Sequence, residues 1–198
     1  MRAQGNSAAI FAFGAALFCL PAVADWQDKA SAYDVERLQR LDEARGKALA
    51  EAESGREIGL IRAVLDAEER PISERTLRGD WRCRTLKLGG ATPDIVYSWF
   101  RCRISERGHG LFFQKLSGSQ RLQGYLYPHN SGGYVLLGGL AAKGEPLHSY
   151  SGNGPSAGAM TTPDDAVGVL EATGHRSARI ELPYPGAEST FDVIEMKR

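Results

Sequence analysis

The chain has 198 residues, with 24 basic and 24 acidic side chains and a formal charge of zero. That length suits one ordinary domain plus an appendage. A balanced charge lacks the basic excess of a nucleic-acid binder, so no nucleic-acid partner is expected.

Residues 1–24 read as a secretory signal peptide. Arg2 is the lone charge, Ala8–Leu20 is an apolar run of 13 residues, and Pro21 precedes Ala22-Val23-Ala24, an A-x-A cleavage site. A spanning helix needs roughly 20 apolar residues, so this run is too short, and no other stretch qualifies. The mature chain is expected to begin at Asp25, to be periplasmic or secreted, and to have no stable membrane insertion after cleavage. Cys19 follows Phe18 where a lipoprotein site needs a small residue, which argues against lipidation.

Cleavage leaves Cys83 and Cys102, and two cysteines in an exported chain read as a bridge. The loop of about twenty residues that it closes is worth roughly 3 kcal/mol in the chain-entropy model. Charge is uneven along the chain. Residues 25–75 hold 9 basic and 13 acidic side chains, and residues 76–198 hold 14 and 11. An acidic arm docked on a basic body follows from that division.

Residues 25–75 are expected to form this helical arm. Asp34 is a candidate N-cap for a helix carrying Val35, Leu38, Leu41, Ala48, Leu49 and Ala52 on one side. Ser54-Gly55 breaks the pattern. A shorter helix with Ile58, Ile61, Val64 and Leu65 ends before Pro71. One-sided apolar stripes need a surface to lie on.

From residue 76 the pattern changes to short strands. Eight are predicted: Gly79–Leu88, Ile95–Ser105, Leu111–Leu116, Arg121–Tyr127, Tyr134–Ala141, Ala166–Thr173, Ala178–Pro183 and Thr190–Lys197. Gly, Pro, Ser and Asn turns separate them, and no helix-length segment interrupts them, which excludes parallel βαβ units. The expected class is mainly β with an N-terminal helical arm. The architecture is an eight-stranded antiparallel up-and-down barrel, calycin-like, because closure removes exposed edges; a β-sandwich is the alternative. Tyr134–Leu140 is apolar on both faces and is expected beneath the arm. Trp81, Phe100, Phe112 and Phe113 are candidates to fill the interior.

Two near-copies of one pattern, Trp81-Arg82-Cys83-Arg84 and Phe100-Arg101-Cys102-Arg103, suggest a hairpin closed by the disulfide. If the cysteines face each other, residue i pairs with residue 185 − i. Trp81, Cys83, Phe100, Cys102 and Ile104 then face inward. Arg82 falls opposite Arg103, and Arg84 opposite Arg101, with Tyr97 and Trp99 beside them. Opposed like charges are destabilising, so the arginines need acidic partners in the arm (Glu51, Glu53, Glu57 or Asp66) or an external anion.

No catalytic or metal motif stands out. His109, His129, His148 and His175 lie in separate turns without metal-ligand spacing, and no G-x-S-x-G or S-x-x-K occurs. No cofactor is implied. The long segment Lys143–Asp165 is a candidate functional loop presenting His148, Tyr150 and Asn153.

Three motifs carry a family resemblance: Trp81-Arg82-Cys83-Arg84 with Lys87-Leu88-Gly89, Phe113 through Arg121, and Leu182-Pro183-Tyr184-Pro185 followed by Glu188 through Glu195. They resemble the domain of unknown function 4893 family of exported bacterial proteins. That resemblance spans nearly all of the mature chain and implies a periplasmic or secreted protein, with no activity attached. Gly79-Asp80-Trp81 is also similar to the G-x-W that opens lipocalin barrels, where the Trp closes one barrel end; Lys197-Arg198 could stack over it. Bacterial metalloprotease inhibitors of similar architecture likewise carry an early disulfide in a small exported barrel.

The leading expectation is a non-catalytic binding module for a small amphipathic or anionic ligand, held by Arg82, Arg84, Arg101 and Arg103, with His148 and Tyr150 as further candidates. The alternative is a protein-interaction or inhibitor-like barrel, so the partner is a small molecule or a protein. An enzyme working through the loop residues is the third reading.

Overall fold

The computed structural model describes residues 25–91, 94–108, 110–129, 132–155, 165–186 and 188–198. The expected signal peptide (1–24), His109 and residues 156–164 of the long loop lie outside them.

Alternation of large apolar and polar residues from Gly79 onward produces nine strands. They are β1 (Gly79–Leu88), β2 (Asp94–Val96), β3 (Phe100–Arg107), β4 (Gly110–Lys115), β5 (Gln120–Pro128), β6 (Tyr134–Ala142), β7 (Asp165–Gly174), β8 (Ser177–Pro183) and β9 (Phe191–Lys197). Every pairing is antiparallel between neighbours, and β9 returns to β1 along Arg82↔Lys197 through Leu88↔Phe191. Eight strands, β1 and β3–β9, therefore form a closed up-and-down barrel, and β2 is an extra strand on β1. The run expected as one strand, 95–105, is broken at Tyr97–Trp99. The break follows from β1, which pairs with β3 only over Gly79–Cys83 and with β2 over Leu86–Leu88.

Inward positions from all eight barrel strands form one apolar cluster that includes Trp81, Ile104, Phe113, Leu126, Leu136, Leu170, Ile180 and Met196. Each such side chain contributes about 1.5–3 kcal/mol relative to exposure. Phe112 departs from expectation. Its position on β4 points outward, where it meets Tyr125 edge-on with ring centroids 4.9 Å apart. Gly124 and Gly138 face each other across β5 and β6, and a Cβ on either would collide with the opposite backbone.

The disulfide joins Cys83 and Cys102 with Cα atoms 5.9 Å apart. The register differs from the expected one by two residues: Cys83 pairs with Phe100, and Trp81 with Cys102. The bridge thus runs diagonally, which disulfide geometry tolerates at this separation. A two-residue offset preserves strand parity, so Trp81, Cys83, Cys102 and Ile104 still face the interior.

At one barrel end Arg198 stacks on Trp81, as expected beside the G-x-W resemblance. The Trp81 indole N–H donates to the Leu77 carbonyl at 2.8 Å, and the Arg198 guanidinium lies 4.1 Å from the ring centroid. Arg198 also donates to the carbonyls of Leu77 and Arg78. At the other end Lys87, Lys115 and Asp192 point inward. Lys115 donates to the Gln120 carbonyl at 2.7 Å, and burial pushes its pKa down, helped by the charge of Lys87. Burial pushes the Asp192 carboxyl up to about 6.

The arm comprises α1 (Ala32–Gln39), α2 (Leu41–Glu51), α3 (Ile58–Leu65) and α4 (Glu74–Leu77). Ser31, not Asp34, caps α1; its Oγ accepts from the Asp34 amide. Asp34 lies one turn inside and is fully buried, because its carboxylate accepts from Ser31 Oγ, Arg37 and the Tyr150 hydroxyl. Arg40 divides the expected first helix into α1 and α2. Ala44 and Ala48 of α2 and Ile61 and Leu65 of α3 pack on the outward residues Leu86, Leu88, Phe191 and Val193. Trp26 and Leu38 pack on Val135, Leu137 and Val167, so β6 does lie beneath the arm. Ion pairing between arm and barrel runs in both directions: Arg45 of α2 binds Glu181 of β8, whereas Arg179 of β8 binds Glu69 of the arm. A simple acidic arm on a basic body is therefore not the arrangement.

Replacing both Cys83 and Cys102 by Ala should cost roughly 3 kcal/mol in denaturant unfolding; an unchanged midpoint would contradict the bridge's role. Glycine substitutions should separate by site. Gly124→Ala, at the tight β5–β6 contact, is expected to destabilise by more than about 2 kcal/mol. Gly46→Ala in α2, where nothing lies within 4 Å of the added Cβ, should stabilise by about 0.5–1 kcal/mol, read from the same unfolding curves.

Candidate functional site

Strands β1 and β3 place Arg82 directly opposite Arg101 on the outer face, since alternate residues there point away from the core. Both are exposed. The pairing expected from opposed cysteines, Arg82 with Arg103 and Arg84 with Arg101, does not occur: Arg103 lies opposite Asp80, and Arg84 extends beyond the end of β3. A cleft of about 310 Å³ opens here, bordered by Arg82, Arg101 and Arg103, the exposed Leu116, and the C-terminal pair Lys197 and Arg198.

The acidic partners differ from those expected in the arm. Arg103 donates Nε–H to Asp80 at 2.6 Å; this bond, with the charges of Arg101 and Arg198, holds the Asp80 carboxyl below its ordinary range. Arg84 donates to Glu195 of β9 at 2.6 Å, and Lys197 binds the other oxygen of Glu195 at 2.7 Å. Glu51 serves elsewhere, accepting from Thr190 and the Gly90 amide. Arg82 and Arg101 form no ion pair among the described residues. Their surroundings carry six basic side chains (Arg82, Arg84, Arg101, Arg103, Lys197 and Arg198) against two acidic ones (Asp80 and Glu195).

Trp99 gathers this charge. Its ring lies 5.2 Å from the Arg82 guanidinium carbon, 4.6 Å from that of Arg84 and 5.7 Å from Lys197 Nζ. Cations over an indole face contribute about 0.5–1 kcal/mol each at exposed sites, which offsets part of their mutual repulsion. Tyr97, expected beside them, is exposed, and its amide donates to the Thr85 carbonyl at 3.0 Å. The arrangement offers guanidinium donors, positive potential and an apolar wall from Leu116.

His148 and Tyr150 do not join the arginines. The Tyr150 hydroxyl donates to Asp34 at 2.6 Å and accepts from the Ser31 amide at 2.8 Å. Burial, with the Asp34 bond second, pushes its pKa up to about 12. His148 meets the barrel through its carbonyl, which accepts from Gln123. Asp165 fixes Ser151 through both its amide and its hydroxyl. The described part of the long loop is thus fastened to the barrel and the arm. Among the described residues no group of three or more His, Cys, Asp or Glu side chains could hold a metal ion, and no helix is long and apolar enough to cross a membrane.

Sequence reasoning missed Lys197, Arg198 and Leu116 as cleft residues. The first two reach it only through the β1–β9 seam, and the terminal basic pair was the one available signal.

No curated protein and no solved structure matches the chain. The family model of a domain of unknown function, DUF4893, matches residues 26–196. With nearly the whole arm and barrel inside that match, the chain belongs to the DUF4893 family.

Proposed function

We propose that this chain is an exported, non-catalytic binding module that takes a small anionic group between Arg82 and Arg101. One observation carries the reading: two exposed guanidiniums stand opposite each other across a strand pair, and neither has a carboxylate partner among the described residues. Opposed like charges cost free energy, and an anion bridging them would relieve that cost. Guanidinium presents paired N–H donors that match carboxylate or phosphate oxygens. Leu116 beside the cleft suits a ligand with an apolar portion, an amphipathic anion.

Action outside the cytoplasm, in the periplasm or secreted, is supported by the leader-like residues 1–24 and by the disulfide, which persists in oxidising compartments. The apolar packing of the barrel interior favours the outer cleft over the lumen as the binding place.

Thermal unfolding in sulfate and in chloride at matched ionic strength tests the site. Sulfate at about tenfold above its Kd should stabilise the protein by about 1.4 kcal/mol. Arg82→Ala with Arg101→Ala should lose this difference, while Arg62→Ala, on the exposed side of α3, should keep it; sulfate's general stabilising effect acts on all variants alike. An undiminished shift in the double variant eliminates the site. Export has its own check: expression with the leader in a bacterial host should yield a periplasmic chain whose intact mass begins at Asp25, and a chain that retains residues 1–24 in the cytoplasm contradicts it.

A further inference from the structure

A second hollow, of about 320 Å³, adjoins the arginine cleft. It lies on the outer wall beside α3, over β8, β9 and β1, and Lys197 borders both spaces. The register shows why they meet. The outward residues Arg101, Arg82, Lys197 and Ser177 are successive cross-strand partners on β3, β1, β9 and β8. At roughly 4.8 Å per strand this row runs about 14 Å, from the arginine pair into the second hollow. Trp99 spans the junction, since its ring meets Arg82 of the cleft and Arg84 of the hollow.

The two spaces differ in chemistry. Charge in the hollow is already matched: Arg84 and Lys197 each hold one oxygen of Glu195, and Arg179 is bound to Glu181 and Glu69. The α3 side adds hydrocarbon, from Leu60, Ala63, Val64 and Ala67. Ile61 and Leu65 are the residues of α3 that are buried in the core, so this is a further apolar flank. It is partly open: Leu60 and Val64 are half-buried, and Ala63 is exposed. A surface helix ordinarily carries polar residues away from its packed stripe.

We infer that the anion held by Arg82 and Arg101 carries a linear alkyl chain, which runs along this row past Trp99 and Lys197 and lies against Leu60, Ala63 and Val64. The inference rests on the anion site proposed above and adds the class of its ligand: a single-chain amphiphile with a sulfate, phosphate or carboxylate head. Its head would take the guanidinium donors. Its chain would cover the α3 flank and the methylene stems of Arg84 and Lys197, where displaced water supplies the driving force. The chain lies lengthwise on the wall, so the ligand is a free amphiphile and not a lipid packed in a bilayer.

Isothermal titration calorimetry on the mature chain tests this with inorganic sulfate and with ethyl, butyl, hexyl and octyl sulfate, each below its micelle-forming concentration. From butyl to octyl sulfate, each added methylene should tighten binding about two- to fourfold. Ala63→Glu, at an exposed position, should flatten that series and leave inorganic sulfate as in the wild type. Ala50→Glu, exposed on α2, should keep the whole series. Arg82→Ala with Arg101→Ala should lose sulfate and octyl sulfate together. The alkyl path is overturned if sulfate binds but a longer chain brings no gain, or if the gain persists in Ala63→Glu; the anion site then still stands. If the double arginine variant binds octyl sulfate like the wild type, the anion site falls and the alkyl path with it.

Discussion

The seam between β1 and β9 is the constraint on which the rest of this structure depends. Seven consecutive residue pairs, Arg82↔Lys197 to Leu88↔Phe191, turn a meander into a barrel. Closure removes the two edges that an open sheet would present to other chains. It also carries the end of the chain to its first strand. Arg198 reaches Trp81 only by this route, and Glu195 meets Arg84 only across it. Without the seam the basic cleft would lose its C-terminal wall and Arg84 its counter-ion.

The arm completes what the barrel leaves open on its outer side. Strands β6, β7, β9 and β1 carry apolar residues on both faces, so their outward side chains need cover, and α1, α2 and α3 supply it. Cover is not wholly apolar. Arg179 and Glu181 are nearly inaccessible, and their partners Arg45 and Glu69 come from the arm. Removing one member of such a network strands a buried charge, at a cost of about 3–5 kcal/mol. These pairs fix where the arm sits. The same docking leaves a hollow between α1, α2 and the sheet, because helices resting on a twisted sheet do not follow it at every point.

How much of this was legible in the sequence differs by level. Alternation revealed the strands and their inward faces, since a period of two depends only on backbone geometry. Turn residues marked the boundaries to within a residue or two. Register was not legible: a disulfide accepts direct and diagonal neighbours, and the offset of two left every inward residue inward while changing which arginines oppose one another. The ion-pair partners of Arg84 and Arg103 were sought in the acidic arm but lie on β9 and β1, because spatial neighbours in a barrel follow closure and not net charge. Tyr150 looked like a presented loop residue; its place on Asp34 depends on where α1 docks, which no local pattern encodes. The hollow beneath the arm gathers residues from α1, α2, β6, β7 and β8, and so has no linear signature at all.

The sulfur bridge also has a mechanical meaning. On one side β1 keeps company with β3 for only its first half, then parts from it to take up β2. The wall therefore contains a fork, and Cys83 stands where the two branches diverge. Arg82 and Arg101 are the immediate chain neighbours of the bridged cysteines. Peeling of β3 from β1 would start at this fork and spread them apart first. A reductant that opened the bridge would thus loosen the spacing of the two guanidiniums before it unravelled the rest of the wall, so the shape of the basic cleft depends on the bridge staying closed.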